Sequence, residues 1–180
     1  EYNRRIAEWW NGLDRLSAVA SEWKQVDHDR SRWQDVDLPA AYRSHGLKDF
    51  DGVVYYTRQI DLADELLGKG GNISLGSIDD FDDVWINGQL VGFEHEAGKW
   101  RRGRNYLIPA GLLKKKNLIA IRVYDARGGG GLVGKAQDLC LLIEDQRIQL
   151  AGQWQMFQGA AAKDLPRFVK KKSLHYNTPT

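Results

Sequence analysis

Two hydrophobic periods divide the chain. Up to about residue 23, Ile6, Trp9, Trp10, Leu13, Leu16, Ala20 and Trp23 recur at three- and four-residue spacing, which predicts a helix with one apolar face. Gly12 weakens that helix by about 1 kcal/mol relative to alanine. A stripe this aromatic needs a packing partner. From Trp33 the period falls to two, and residues 53–60, 72–78, 83–86, 89–93, 118–125, 139–143, 147–150 and 153–157 read as strands. Within 118–125, Ile119, Ile121 and Val123 face inward while Arg122 and Tyr124 face outward. Residues 139–143 are apolar on both faces, as a central strand is. Asn87-Gly88 sits between two strands as a type I′ hairpin turn, whose two central positions need positive φ.

No helical crossover separates the strands, so the sheets must be antiparallel. The expected fold is all-β, an antiparallel jelly-roll β-sandwich with an N-terminal amphipathic helix. Residues 158–180, with Pro166 and Pro179 and no clear period, read as an extended linker. The expected division is therefore 1–23, 24–157 and 158–180. The start at Glu1 without Met and the ending Asn177-Thr178-Pro179-Thr180, without a helix stop or a polar tail, suggest a piece of a longer chain.

Composition narrows the chemistry. No run reaches the roughly 20 apolar residues of a membrane helix. A net charge of +2 supplies no field to draw the chain onto nucleic acid or anionic lipid. The single cysteine, Cys140, lies in an apolar run and reads as an inert core thiol. Seven Trp and seven Tyr serve either the core of a sandwich or a sugar-stacking platform, and burial is the first expectation for each ring.

Candidate motifs mostly fail on chemistry. Gly129-x-x-x-x-Gly134-Lys135 imitates a phosphate loop, but Ala136 has no hydroxyl for Mg²⁺ and no helix follows. The run 128–131 reads instead as a close turn over the sheet rim. Asp79, Asp80, Asp82 and Asp83 form the densest acidic cluster. They lack the calcium-loop pattern with its central Gly and terminal Glu, so no metal site is assigned and a structural calcium ion stays the lesser alternative. They are expected to cap turns and to pair with Arg58, Arg104 or Arg122. Asp79, Asp80, Asn87, Gly88 and Arg58 are thus given structural roles. Glu94-His95-Glu96 and Asp27-His28-Asp29 offer too few imidazoles for zinc, and His95 reads as a polar surface residue. No Ser lies in a Gly-x-Ser-x-Gly elbow, and no cofactor is implied. The interleaved stretch from Lys99 to Tyr106 suggests sugar contact in which Trp100 stacks while Arg101 or Arg104 bonds hydroxyls or a carboxylate, and the wider loop from Phe93 to Tyr106, with Tyr124 or Arg127 nearby, would form a concave rim.

Taken in order, Trp33-Gln34-Asp35-Val36-Asp37-Leu38-Pro39, Asp51-Gly52-Val53-Val54-Tyr55-Tyr56-Thr57-Arg58, Leu75-Gly76-Ser77-Ile78-Asp79-Asp80-Phe81-Asp82, Val84-Trp85-Ile86-Asn87-Gly88, Arg104-Asn105-Tyr106-Leu107-Ile108-Pro109 and the 117–125 strand form a series. It resembles the galactose-binding-like sandwich of sialate O-acetylesterases. It is more distantly similar to the sugar-binding domain of family 2 glycoside hydrolases. Asp51–Tyr55 and the glycine run favour the esterase group. That resemblance implies a non-catalytic domain packing on an SGNH-type hydrolase domain of the same parent chain. It further implies a periplasmic or extracellular location and acetylated glycans or sialosides as possible ligands. The alternatives are a module with its own weak sugar site, or the sugar-binding domain of a family 2 glycoside hydrolase.

Overall fold

The computed structural model describes residues 2–167. A helix, α1 (Tyr2–Leu16), opens the chain, and twelve strands follow. They are β1 (Gln34–Leu38), β2 (Ala40–Ala41), β3 (Gly52–Asp61), β4 (Gly71–Asp79), β5 (Phe81–Ile86), β6 (Gln89–Glu94), β7 (Gly103–Ile108), β8 (Lys116–Asp125), β9 (Gly131–Leu132), β10 (Leu139–Ile143), β11 (Gln146–Gln149) and β12 (Gly152–Ala161). One sheet runs β1-β12-β3-β8-β5-β6, the other β11-β10-β4-β9-β2, with β7 paired to β4. Every pairing is antiparallel. The expected jelly-roll sandwich is the observed one.

Two apolar layers explain the sequence pattern. Val54, Tyr56, Ile73, Leu75, Ile78, Val84, Ile86, Ile119, Ile121, Val123, Leu141 and Trp154 fill the space between the sheets. The outer face of the β1-β12-β3-β8-β5-β6 sheet carries a second layer. There Val53, Tyr55, Phe81, Trp85, Leu118, Ala120 and Tyr124 meet Trp9, Trp10 and Leu13 of α1, together with Trp23. The alternation in β8 is thus read correctly, but its outward face meets protein. Tyr124 and Arg122 are buried because α1 covers them.

The helix stops at Leu16, short of residue 23. Ala18 takes φ of 52°, which ends the regular helix, and Trp23 is delivered by a separate short 3₁₀ turn, Ser21–Lys24. Leu16 and Ala20 therefore leave the apolar stripe and face solvent. Strands β1, β2, β7 and β9 are absent from the sequence-based reading. β2 and β9 have two residues each, too few for any period to show. β7 has one neighbour in the sheet, and its exposed positions dilute the apolar alternation. β12 runs to Ala161, four residues past its expected end at Phe157. Residues 168–180 of the expected linker lie outside the described residues.

The hairpin between β5 and β6 turns on Asn87 and Gly88 at φ 51° and 82°, as type I′ geometry requires. The Asn87 amide donates to the Leu112 carbonyl at 3.0 Å and to Asn117 Oδ1 at 2.9 Å, while its oxygen accepts the Leu118 amide at 2.9 Å. The glycine run does lie at the rim. A β-carbon on Gly130 would sit 2.2 Å from the Tyr42 ring, and Gly131 holds φ of 120° as it enters β9.

Candidate functional site

Where α1 crosses the outer sheet it leaves a cleft of 510 Å³. Ile6, Trp10 and Asp14 line it from one side of the helix, being spaced at four residues. Asp83 and Trp85 come from β5, Leu90 and Phe93 from β6, Arg122 from β8, and Lys24 and His95 from the connections. A chain of charges forms its floor. Arg122 Nη1 donates to Asp14 Oδ1 at 2.8 Å, and Nη2 donates to Asp83 Oδ2 at 2.8 Å. His95 Nε2 lies 2.9 Å from Asp83 Oδ1. Asp14 further accepts from Trp23 Nε1, Lys24 Nζ and the Tyr55 hydroxyl. The His95 ring stacks on Trp10 at 3.7 Å between centroids and leans on Phe93 at 4.6 Å.

This electrostatic balance suits binding and anchorage better than proton transfer. Burial pushes the Asp83 carboxyl up, but Arg122 and His95 outweigh it and hold its pKa below the ordinary range. The same holds for Asp14, where burial is overcome by Arg122, Trp23 and Lys24. Two carboxylates that give up protons so readily make poor general acids near neutral pH. Trp85 offers no open stacking face, since Lys24 Nζ lies 4.6 Å and Arg122 Cζ 5.3 Å from its ring centroid. Phe93 is the open ring of the cleft, with 55% of its surface exposed.

The expected sugar-facing residues do not assemble. Arg104 is buried, and all five of its donors are spent inside the protein. Nε donates to Asp82 Oδ1 at 2.6 Å, Nη1 to the Lys99 and Arg102 carbonyls, and Nη2 to those of Ile78 and Asp80. Tyr124 is enclosed by Trp9, Trp10 and Phe81. Both are withdrawn from any ligand, because a basic or aromatic residue is drawn into the interior once an Asp or an aromatic cluster is there to receive it. Trp100 remains exposed, but Arg101 already covers its ring at 4.3 Å. Arg127 is exposed in the loop after β8.

Of the four clustered aspartates expected to meet arginines, Asp82 pairs with Arg104 and Asp83 with Arg122, whereas Arg58 donates to the carbonyls of Leu150 and Ala151. Asp79 and Asp80 face neither bridge. Their carboxylates meet that of Asp125, each offering an oxygen within 4.8 Å of the other two. Burial pushes Asp125 up to about 7 and Asp79 up to about 6, the Asp80 charge adding to the latter. Hydrolysing a glycosidic bond takes two carboxyl groups on either side of a sugar, about 5 Å or more apart. This group is tighter than that, and its Asp125 is wholly buried.

Sequence reasoning placed Phe93 at the start of a sugar-facing loop but missed Asp14, Lys24, Asp83, His95 and Arg122 as its partners in one site. A partial signal existed. Asp14 adjoins the apolar helix stripe at Leu13, and Arg122 shares the strand face of Ala120 and Tyr124.

The family profile "Glycosyl hydrolases family 2, sugar binding domain" matches residues 3–157. The chain belongs to this family. The match takes in α1 and the sandwich together, and it overturns the expected descent from a sialate O-acetylesterase. The glycine run, which favoured the esterase group, serves packing here, with Gly130 against Tyr42 and Gly131 entering β9 at φ of 120°. Solved structures share the fold of the domain. They include Bacteroides uniformis β-glucuronidase 2 bound covalently to a cyclophellitol aziridine, with TM-score 0.53 and 19% identity over 76% of this chain and 16% of that one. A β-glycosidase from Bacteroides vulgatus gives TM-score 0.55 and 18% identity over 72% of this chain and 19% of its own. A family 2 member from Bacteroides cellulosilyticus gives TM-score 0.55 and 20% identity over 69% and 18%. The domain thus spans less than a fifth of each of these chains. No curated protein matches the sequence.

Proposed function

We propose that this chain is the non-catalytic sugar-binding sandwich of a larger family 2 glycoside hydrolase, and that it packs on the catalytic domain of that enzyme. The observation that carries the reading is the family match over residues 3–157, which treats α1 and both sheets as one unit. The small share of each structural neighbour that it covers supports a role as one domain among several. The carboxylates of the helix–sheet cleft are neutralised by Arg122 and Lys24, which supports binding over bond cleavage.

Sugar contact is assigned to the cleft floored by Asp83, Arg122 and His95. Its volume suits one or two pyranose rings. Phe93 presents a flat apolar face, while Asn11, Lys24 and His95 at the cleft wall can bond hydroxyls. So small a surface supports only millimolar affinity, about 4 kcal/mol. Titration of the labelled chain with glucuronides, galactosides and glucosides, followed by NMR, tests this. Shifts are expected at Phe93, His95 and Lys24, and their loss in Phe93→Ala. Spectra unchanged by every sugar would remove the cleft from the proposal, and glycoside cleavage by the chain alone would overturn its non-catalytic role.

A further inference from the structure

Asp79 ends β4, Asp80 begins the step into β5, and Asp125 ends β8. β4 and β8 belong to different sheets, so these carboxylates meet at the rim of the sandwich, below the loop 126–131. One oxygen from each residue lies within 4.8 Å of the other two. Crowded carboxylates alone carry nothing, but Asp125 adds a separate observation. It is wholly buried, its Oδ1 accepts the Arg127 amide at 3.1 Å, and its buried Oδ2 has no hydrogen-bond partner. Arg104 gives no relief, because its donors are spent on Asp82 and on backbone carbonyls. An acceptor-only oxygen shut away from water and from donors is stabilised by a cation or a proton.

We propose that Asp79, Asp80 and Asp125 bind a calcium ion that fastens the end of β4 to the end of β8. Each residue offers an oxygen within 4.8 Å of the other two, close enough for one ion to bridge all three. Calcium's flexible shell tolerates ligands drawn from two sheets, where magnesium demands near-ideal octahedral geometry. Asp79 and Asp80 are half-buried, which leaves a solvent side where waters complete the six to eight ligands that calcium takes. The ion would also order the glycine loop, since Asp79 pairs with Gly131 and Asp80 Oδ2 accepts the Ala126 amide at 3.2 Å. This site stands apart from the sugar cleft and does not depend on it.

The test follows the melting temperature and the terbium luminescence of the chain, first treated with EDTA, during titration with calcium and with magnesium. Calcium is expected to raise the melting temperature by about 5–10 °C at a hundred times its dissociation constant. It should also displace terbium competitively. Asp125→Asn should abolish both effects, and Asp80→Asn, at the half-exposed rim where folding is safer, should weaken calcium at least about tenfold. Equal melting temperatures in EDTA and in about 10 mM calcium would overturn the proposal. So would an Asp125→Asn variant more stable than the calcium-saturated parent, which would mark a shared proton. A magnesium response equal to that of calcium would overturn the assignment of the ion.

Discussion

Asp82 shows how little a residue's neighbours in sequence say about its role. It stands among four aspartates within five positions, yet it alone takes both Arg104 Nε at 2.6 Å and the Tyr106 hydroxyl at 2.6 Å, wholly out of solvent. Removing one partner strands the other charge, so Asp82→Ala is expected to cost about 3–5 kcal/mol in urea unfolding. A paired change of Asp82 and Arg104 to apolar residues should restore much of that loss. Gly92 is a second pressure point. A β-carbon there would meet the Tyr106 ring at 2.1 Å, so Gly92→Ala should push Tyr106 off Asp82 and destabilise by about 1–3 kcal/mol. The sequence announced the Arg104 region as basic and aromatic. It could not announce burial, because the acceptors come from β4, β5 and the loop at Lys99 and Arg102.

Elements were more legible than residues. β3, β4, β5, β6, β8, β10 and β11 appear in the sequence as runs with period two or as apolar stretches, because a strand between two packed layers keeps that period. β7 failed for a physical reason: with one neighbouring strand, only Arg104 and Ile108 of its six residues are buried, and one of those is charged. The helix was legible as amphipathic, and the structure supplies its partner. Trp9, Trp10 and Leu13 sit on Tyr55, Phe81, Trp85 and Tyr124, so α1 belongs to the fold of the sandwich. Leu13→Ala is expected to cost about 2–5 kcal/mol. Removal of residues 2–16 would expose that aromatic layer, and dye binding together with self-association on size exclusion should report it.

At the scale of the molecule, Arg122 ties α1 to the sheet through Asp14 and Asp83, so helix docking should depend on pH. Both carboxyls are held below their ordinary value of 3.8. Their stabilisation is therefore complete above about pH 4 and is lost as the pH falls through the lowered native values. Asp82 acts with the opposite sign. Burial raises it to about 6 against the pull of Arg104 and Tyr106, so its share of stability declines as the pH rises from about 4 to about 6. The urea midpoint is expected to fall steeply below pH 4, and Asp14→Asn should flatten that limb.

The sequence by itself determined the antiparallel sandwich, its inner core, the Asn87-Gly88 hairpin and the amphipathic helix, because each follows from a local period or from the φ that one or two residues tolerate. It also carried the likeness to sugar-active sandwiches, though it ranked the esterases above the glycoside hydrolases to which the domain belongs. The tertiary structure alone decided which outward faces are buried, which aspartate meets which arginine, and where a cleft opens. Those outcomes depend on contacts across long stretches of chain, such as Asp14 with Arg122 and Asp79 with Asp125. No local period constrains such partners, and only the packed sheets bring them within reach.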